Sequence, residues 1–305
     1  MKSKLIVSLF AMSSAVGAVG CGGSSGTGEV TKVDGTNSAK YATASLTLPK
    51  NTMSVAFDLD GDGTADNKLG AIISGLAAVN LMPQSSADKA VADGTLIILM
   101  EETSTDATQQ QANNAGVKLS LAAKVTTAPK YDGTDTFAID GTTSTAQFLG
   151  NISAGTFSSN NPATATTPVT LTIALPLVDG QAPLLIPVTA GRVTFKRGAD
   201  GKVTGGQING ALKKEDVDAK VLPAVAALVT AQVKAPDASA AIKMFDVNGD
   251  GVVTVEELKG NALISNFLAP DIQLFENGVY KPNPAKTVKD SLSLGLGFTA
   301  VGATF

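Results

Sequence analysis

The chain has no histidine, no tryptophan and a single cysteine, Cys21. Without histidine or a second cysteine, it lacks the side chains for a Ser-His-Asp triad, a Cys-His pair, a zinc site of histidine and cysteine ligands, or a disulfide. With 3 tyrosines and no tryptophan, it also has few aromatic surfaces on which a sugar ring could stack. The composition therefore argues against the common nucleophilic hydrolases and against glycan binding, and we expect no catalytic residues.

Positive charge is scarce as well. Lysine and arginine total 23 against 27 aspartates and glutamates, the formal net charge is −4, and Arg192 and Arg197 are the only arginines. Proteins that hold nucleic acid neutralise its phosphates with clustered lysine and arginine side chains. We therefore expect no binding to nucleic acid.

The N-terminus has the composition of a targeting segment. Two lysines precede a mostly apolar run at residues 5–19, which is too short and too rich in small residues to span a bilayer as a helix. The run ends in Ala18-Val19-Gly20-Cys21, which resembles a bacterial lipobox, although leucine is usual in place of Ala18. The resemblance implies a lipoprotein signal peptide at residues 1–20 and a lipid such as palmitate on Cys21. A plain secretory signal is the alternative.

The resemblance also predicts a location. Gly22, rather than aspartate, follows the cysteine, and by the sorting rule of enteric bacteria this favours the outer membrane. We expect a protein anchored by lipid on Cys21 at the outer membrane or cell surface, facing the periplasm or the exterior. Residues 21–40 begin with Gly, Ser and Thr and show no apolar period, which is typical of a flexible tether.

Residues 41–305 are predicted to form a single β-rich domain. Apolar and polar residues alternate in several segments that Gly, Asp, Asn and Pro separate, as in antiparallel strands. The segments expected to be extended are 44–57, 94–100, 117–125, 136–139, 148–157, 169–177, 184–195 and 203–212. The polar stretches 102–115 and 158–167 are expected to be exposed loops, with Glu101 and Glu102 as surface charges.

Helical patterns stand at two places. Leu69–Val79 repeats its apolar residues with the helical period, and a larger helical unit is predicted as an insertion at about 213–270. The last helix of that unit is expected at about 254–267, before Pro270.

Beyond the helices, Asn277-Gly278 predicts a two-residue hairpin. Residues 291–305 alternate as a strand, and the alternation slips after Phe298, which indicates a bulge. A strand after the helices implies that the chain returns to the sheet. The predicted fold class is therefore α+β, with an antiparallel, sandwich-like β body, an inserted helical unit and a C-terminal strand in the sheet.

The segment 246–257 carries the clearest chemistry. Oxygen-bearing side chains stand at positions 1, 3, 5, 9 and 12 of a twelve-residue loop, and Gly251 stands at position 6. Calcium takes about six to eight oxygen ligands, and this spacing wraps one chain around one ion. The pattern resembles an EF-hand loop, with Phe245 and Leu258 suited to the core between the flanking helices.

The resemblance implies a set of calcium ligands. Asp246, Asn248 and Asp250 would offer side-chain oxygens, and Val252 would offer its backbone carbonyl. Thr254 would bind directly or through a water, and Glu257 would bind with both carboxylate oxygens. EF-hands usually work in pairs joined through position 8, and the sequence contains no second complete loop. A lone hand is expected to bind calcium weakly, with a dissociation constant of about 10⁻⁴–10⁻³ M, as extracellular modules do. The alternative is an acidic turn that begins a helix without a metal.

A second acidic segment has the first part of the same pattern. It reads D-x-D-x-D-G-x-x-D and resembles the loops of thrombospondin type 3 repeats, so its candidate ligands are Asp58, Asp60, Asp62, Thr64 and Asp66. Position 12 is Leu69, and the bidentate glutamate is therefore missing. Carboxylates this close repel one another unless a cation neutralises them. A solvated acidic turn is the alternative.

These features together predict a calcium-binding, lipid-anchored envelope protein that is not an enzyme, with calcium in a structural role. One alternative is a secreted hydrolase held together by calcium, for which Ser85-Ser86-Ala-Asp-Lys89 is the nearest serine-lysine motif. Another is a docking protein, because dockerin modules carry similar Asp-Val-Asn-Gly-Asp-Gly loops. Dockerins, however, hold two such segments close together and often lack an entering helix.

Overall fold

The computed structural model describes residues 30–77, 84–175, 183–236, 238–283, 285 and 288–305. The predicted signal peptide, Cys21 and the first part of the predicted tether lie outside these ranges. The strands are β1 (Asn37–Thr47), β2 (Ile98–Ser104), β3 (Gln111–Leu121), β4 (Ala146–Ser153), β5 (Thr156–Ser159), β6 (Leu171–Leu175), β7 (Leu184–Arg197), β8 (Val203–Lys213), β9 (Phe275–Glu276), β10 (Val279–Tyr280) and β11 (Ser291–Gly302). The helices are α1 (Lys68–Ala77), α2 (Gln84–Ala92), α3 (Lys214–Asp216), α4 (Leu222–Val233), α5 (Ala240–Lys243), α6 (Val255–Gly260) and α7 (Ala262–Phe267), with a 3-10 turn at Pro162–Thr164 and a π turn at Val217–Val221.

One antiparallel sheet contains nine of the described strands, in the order β5-β4-β3-β2-β1-β11-β8-β7-β6. The sheet closes on itself, because β5 pairs with β7 as well as with β4. Eight strands therefore form a ring, and β6 continues the sheet along the first part of β7. The prediction of an antiparallel, β-rich α+β fold is confirmed. The predicted sandwich-like body is instead this one closed sheet, because β5 joins β4 to β7.

The helices α3 to α7 and the hairpin β9–β10 lie between two strands that are neighbours in the sheet. β8 pairs with β11 from Lys213↔Ser291 to Val203↔Ala300. The chain thus leaves the sheet at the end of β8, forms the helical unit and returns beside the strand that it left. The predicted return of the C-terminal strand is confirmed.

A single buried apolar cluster joins the ring to the helices. Phe157 and Phe195 stack with their ring centroids 5.5 Å apart, and Phe148 is fully buried in the same cluster. The cluster also includes Ile72 of α1 and Val225 of α4. Burial of each large apolar side chain stabilises the fold by about 1.5–3 kcal/mol, and the shared cluster therefore ties the helical unit to the sheet.

Glu102 corrects the prediction of an exposed loop at residues 102–115. β2 continues to Ser104, and the Glu102 side chain is only 1% exposed. Its carboxylate accepts a hydrogen bond from the guanidinium of Arg197, whose Nε donates to the Tyr41 hydroxyl at 2.6 Å. Burial raises the pKa of Glu102 to about 7, and the charge of Arg197 limits the rise. Since β2 and β7 lie opposite each other in the strand order, this buried pair spans the ring.

Two predicted elements end earlier than expected. β1 stops at Thr47, and residues 48–56 are irregular, with a turn at 52–55, rather than an extended segment. The last helix breaks at Asn261, which has extended backbone angles and whose Oδ1 accepts a hydrogen bond from Ile264 N (3.3 Å). Asparagine side chains bond to nearby backbone in this way and favour helix starts over helix interiors, so α7 begins anew after Asn261.

Two local predictions near the C-terminus are confirmed. Asn277 and Gly278 have φ of 51° and 78°, the left-handed pair that a two-residue turn between β9 and β10 requires. The register of β11 against β8 shifts between Phe298 and Ala300, where the alternation slips in the sequence.

The folded body begins earlier than the predicted tether would allow. β1 starts at Asn37, and Val30 is 6% exposed. Val30 N donates to Asn160 Oδ1 (3.0 Å), and Asn160 Nδ2 donates to Val30 O (2.7 Å). Within the described ranges, the helices are all too short or too polar to cross a membrane.

Candidate metal centre

The loop from Asp246 folds back onto its first side chain. Asp246 Oδ1 accepts a hydrogen bond from Asp250 N (3.1 Å), and its Oδ2 accepts one from Gly251 N (2.9 Å). Gly251 has φ of 78°, and Gly249 has φ of 71°, values that residues with a Cβ rarely adopt. The loop is therefore formed locally, by an acid that accepts nearby N–H groups and by glycines that permit the turn.

Asn248 and Asp250 continue this pattern. Asn248 Oδ1 accepts from Asp250 N (3.0 Å), and Asp250 Oδ1 accepts from Val252 N (2.7 Å). Each is an Asx turn, in which the side chain bonds to the backbone two residues later. Since a carboxylate offers about four lone-pair sites, these bonds leave acceptor capacity for a cation.

Glu257, at position 12, closes the loop from its other end. Its Oε1 accepts from Val247 N (3.0 Å), and its Oε2 accepts from Thr254 N (2.8 Å) and Thr254 Oγ1 (2.9 Å). Thr254 Oγ1 also accepts from Glu257 N (3.1 Å), which completes a capping box at the start of α6. These hydrogen bonds, first those from Thr254, lower the pKa of Glu257 because they favour its charged form.

The apolar residues around the loop point into the shared core. Phe245 and Val253 are each 3% exposed, and Leu258 is fully buried. Phe245 and Leu258 thus occupy the places that the EF-hand resemblance implies. The ligand side chains between them stay at the surface, so an ion can reach the loop from solvent.

The acidic side chains of this loop are spread apart. Three acidic residues that could hold one metal ion must bring their carboxylate oxygens close together. Among the described residues, Asp58, Asp60 and Asp66 do so, with oxygens within 4.8 Å of one another. Asp246, Asp250 and Glu257 do not approach this closely. Carboxylates repel one another without a cation, and the capping box holds Glu257 at Thr254. Ligation by both oxygens of Glu257 therefore requires its carboxylate to move toward Asp246.

The second acidic segment repeats the hydrogen bonds of the first. Asp58 accepts from Asp62 N (3.1 Å) and Gly63 N (2.9 Å), the same distances as the equivalent bonds to Asp246. Thr64 N donates to Asp62 Oδ1 at 2.6 Å, where the first loop has 2.7 Å. The same hydrogen-bonded turn therefore occurs at positions 1 to 7 of both loops.

The end of this second loop differs from an EF-hand. Leu69, at position 12, is buried at the start of α1. Asp66 instead joins the cluster, and burial, followed by the nearby charge of Asp60, raises its pKa to about 7, although a hydrogen bond from Leu59 N opposes the rise. Asp60 is 1% exposed, and its Oδ2 lies 3.4 Å from Lys289 Nζ. A lysine ammonium therefore already neutralises part of the charge.

The structure places the predicted ligands in two groups. Asp58, Asp60 and Asp66 come together, whereas Asp62 is not in that cluster and accepts a hydrogen bond from Thr64 N within the turn. The six candidate ligands of the first loop all lie in or beside its turns and capping box.

A comparison with known protein families supports the EF-hand resemblance of the loop at 246–257. Residues 239–260 match the family model described as EF hand. The chain carries an EF-hand-type loop. The match covers α5, the loop and α6, and calcium binding is the function that it suggests. No curated protein and no solved structure shows significant similarity to the chain.

Two residues beside the loops gave no signal in the sequence. Lys289 is 229 positions from Asp60 in the chain, and Thr230, which contacts Val253, is 23 positions from it. Neither residue belongs to a motif of fixed spacing. Only the fold brings each of them to its loop.

Proposed function

We propose that the protein is a calcium-binding, lipid-anchored protein of the bacterial cell envelope, that it is not an enzyme, and that calcium has a structural role. The observation that carries calcium binding is the loop at 246–257, which has an oxygen donor at each ligand position, the hydrogen-bonded turn that aligns them and the EF-hand match. Calcium favours such oxygen sites, and this loop supplies six candidate ligands from one short segment.

The position of the loop supports a structural role. It lies in a helical unit between β8 and β11, and its flanking residues Phe245 and Leu258 belong to the core shared with the sheet. An ion that binds the folded loop better than the unfolded chain stabilises the whole domain. Steady extracellular calcium would keep the loop loaded, which favours a structural ion over a sensor.

The loop at Asp58 is proposed as a second, weaker calcium site. In its support, Asp58, Asp60 and Asp66 lie together, and their turn copies that of the first loop. The missing glutamate and the adjacent Lys289 both weaken it relative to the first site.

Lipid anchoring rests on the lipobox resemblance at Cys21. Replacement of Cys21 by serine removes the thiol that would carry the lipid, so Cys21→Ser should move the protein from the membrane fraction to the soluble fraction and abolish palmitate labelling. A labelled wild-type protein whose Cys21→Ser variant keeps both properties would contradict the anchor.

The non-catalytic role is supported by the composition and by the nearest serine-lysine motif. Lys89 is bound in an ion pair with Asp93 (3.4 Å), and its side chain is 53% exposed. Turnover of generic ester, peptide or glycoside substrates by the purified protein would contradict this part of the proposal and favour the hydrolase.

Calcium binding is tested by titration calorimetry of the full-length protein. We expect one site that Asp246→Ala abolishes and a weaker one that Asp58→Ala abolishes. A wild-type protein that shows no heat of binding up to millimolar calcium would refute the proposed function. Binding that persists in Asp246→Ala but disappears in Asp58→Ala would place the main site at the second loop.

A further inference from the structure

We propose that Thr230 of α4 replaces the missing partner hand and thereby sets the calcium affinity of the loop at 246–257. The proposal rests on the proposed function, because it concerns the same calcium site. In paired EF-hands, the position 8 residues of two loops join the hands. Here the position 8 residue is Val253, and its backbone meets a side chain instead.

The Thr230 hydroxyl satisfies both polar groups of that residue. It accepts a hydrogen bond from Val253 N at 2.8 Å and lies 3.3 Å from Val253 O, to which it donates. One hydroxyl can do both, because it carries one donor and two acceptor sites. Val253 is 3% exposed, so water cannot easily replace these bonds, and a buried N–H without a partner is costly.

The direction of the Thr230 side chain is unusual for a helix. Threonine hydroxyls within helices commonly bond to a carbonyl one turn earlier in the same helix. Thr230 bonds to the loop instead. Lys234, which follows the last residue of α4, lies beside the loop as well, since a Cβ added to Gly251 would be 3.8 Å from Lys234 Cε. The C-terminal end of α4 therefore lies beside positions 6 and 8 of the loop.

A neighbouring face of α4 is fixed to the body. Leu222, Val225 and Val229 are buried in the core shared with the sheet. Thr230 thus connects the middle of the loop to a helix that is already held. Such a contact lowers the ordering cost of binding, because loop residues that are positioned before the ion arrives need not be ordered by it.

The test compares three variants of the full-length protein by calcium titration. Thr230→Val keeps the shape of the side chain and removes the hydroxyl, and we expect its dissociation constant to rise about tenfold, because the ion must then order the loop itself. Thr230→Ser keeps the hydroxyl and should stay within about twofold of the wild type. Ser265→Ala removes an exposed hydroxyl from α7 and should leave the affinity unchanged.

A merely structural role for Thr230 predicts a different outcome. Thr230→Val would then lower the melting temperature without calcium, while its dissociation constant would equal that of the wild type, and this result would overturn the proposal. A wild-type protein that binds no calcium would instead refute the proposed function itself. The two failures are therefore distinguishable.

A measurement on the wild-type protein covers the case in which Thr230→Val does not fold. In calcium-loaded protein, the Val253 amide should exchange its hydrogen at least about tenfold more slowly than an unprotected loop amide. An unprotected Val253 amide would show that the contact is absent in solution and would overturn the proposal.

Discussion

Glu257→Gln should abolish the stabilisation by calcium at the first loop while it leaves the calcium-free fold almost unchanged. Glutamine keeps an acceptor oxygen for Thr254 N and can preserve the capping box, which accepts Glu or Gln at this position. It removes the negative charge and one of the two oxygens that bidentate calcium binding needs. Glu256→Gln, at the exposed neighbouring position, makes the same chemical change outside the ligand set and serves as the matched control.

The expected magnitude follows from mass action. With a dissociation constant of about 10⁻⁴ M, calcium at about 10 mM stabilises the folded state by about 2.7 kcal/mol. For a domain of this size, each kcal/mol raises the melting temperature by about 2–4 °C. The wild type and Glu256→Gln should therefore melt about 5–10 °C higher with calcium than with chelator, whereas Glu257→Gln should show only the smaller rise from the second loop.

The assay is thermal unfolding of the full-length proteins, followed by circular dichroism with calcium and with chelator. In chelator, all three proteins should melt within about 2 °C of one another, because the substitutions are isosteric and lie near the surface. If Glu257→Gln gained as much from calcium as Glu256→Gln, Glu257 would not be a ligand, and the assignment of the loop would fail.

Three further predictions concern other parts of the molecule. Burial raises the pKa of Glu102 to about 7, so its contribution to stability is complete below about pH 4.5 and is lost as the pH rises through 7. The free energy of unfolding of Glu102→Gln, measured in urea at several pH values, should lack this pH-dependent contribution, which is at most about 3 kcal/mol. A variant whose free energy of unfolding depends on pH as in the wild type would contradict the burial argument. Lys289→Met, measured in the Glu257→Gln background, should strengthen calcium binding at the Asp58 loop several-fold because an ammonium 3.4 Å from Asp60 is removed; weaker binding would mean that the lysine organises the site. Gly278→Ala should lower the free energy of unfolding by about 1 kcal/mol, since φ is 78° and no neighbouring atom obstructs a Cβ, and a neutral effect in urea unfolding would show that the hairpin is not formed.

The two acidic loops, at 246–257 and 58–66, show how far local patterns can be interpreted. Their turns depend on bonds between residues two to five positions apart, such as Asp246 with Gly251 and Asp58 with Gly63. Interactions of this range are encoded in spacing, and both turns could therefore be predicted without a fold. The bulge after Phe298 and the Asn277-Gly278 turn were predictable for the same reason.

Polar residues in the body were harder to predict. Glu102 follows a strand pattern and precedes a polar stretch, so solvent exposure was the natural expectation. The ring brings it to Arg197, which is 95 positions away, and the pair is buried. A charged residue is rarely buried without such a partner, and the partner is not apparent from either local sequence.

The sequence by itself determined the local chemistry of this protein, namely the oxygen donors of the loop at 246–257, the turns that align them, and the strand and helix periods around them. Only the tertiary structure decided how the sheet closes through β5 and β7, that the helical unit lies between neighbouring strands, and that Thr230 and Lys289 reach the two loops. The physical reason is separation along the chain. Bonds within a few residues follow from backbone geometry, whereas contacts between distant residues depend on packing of the whole core.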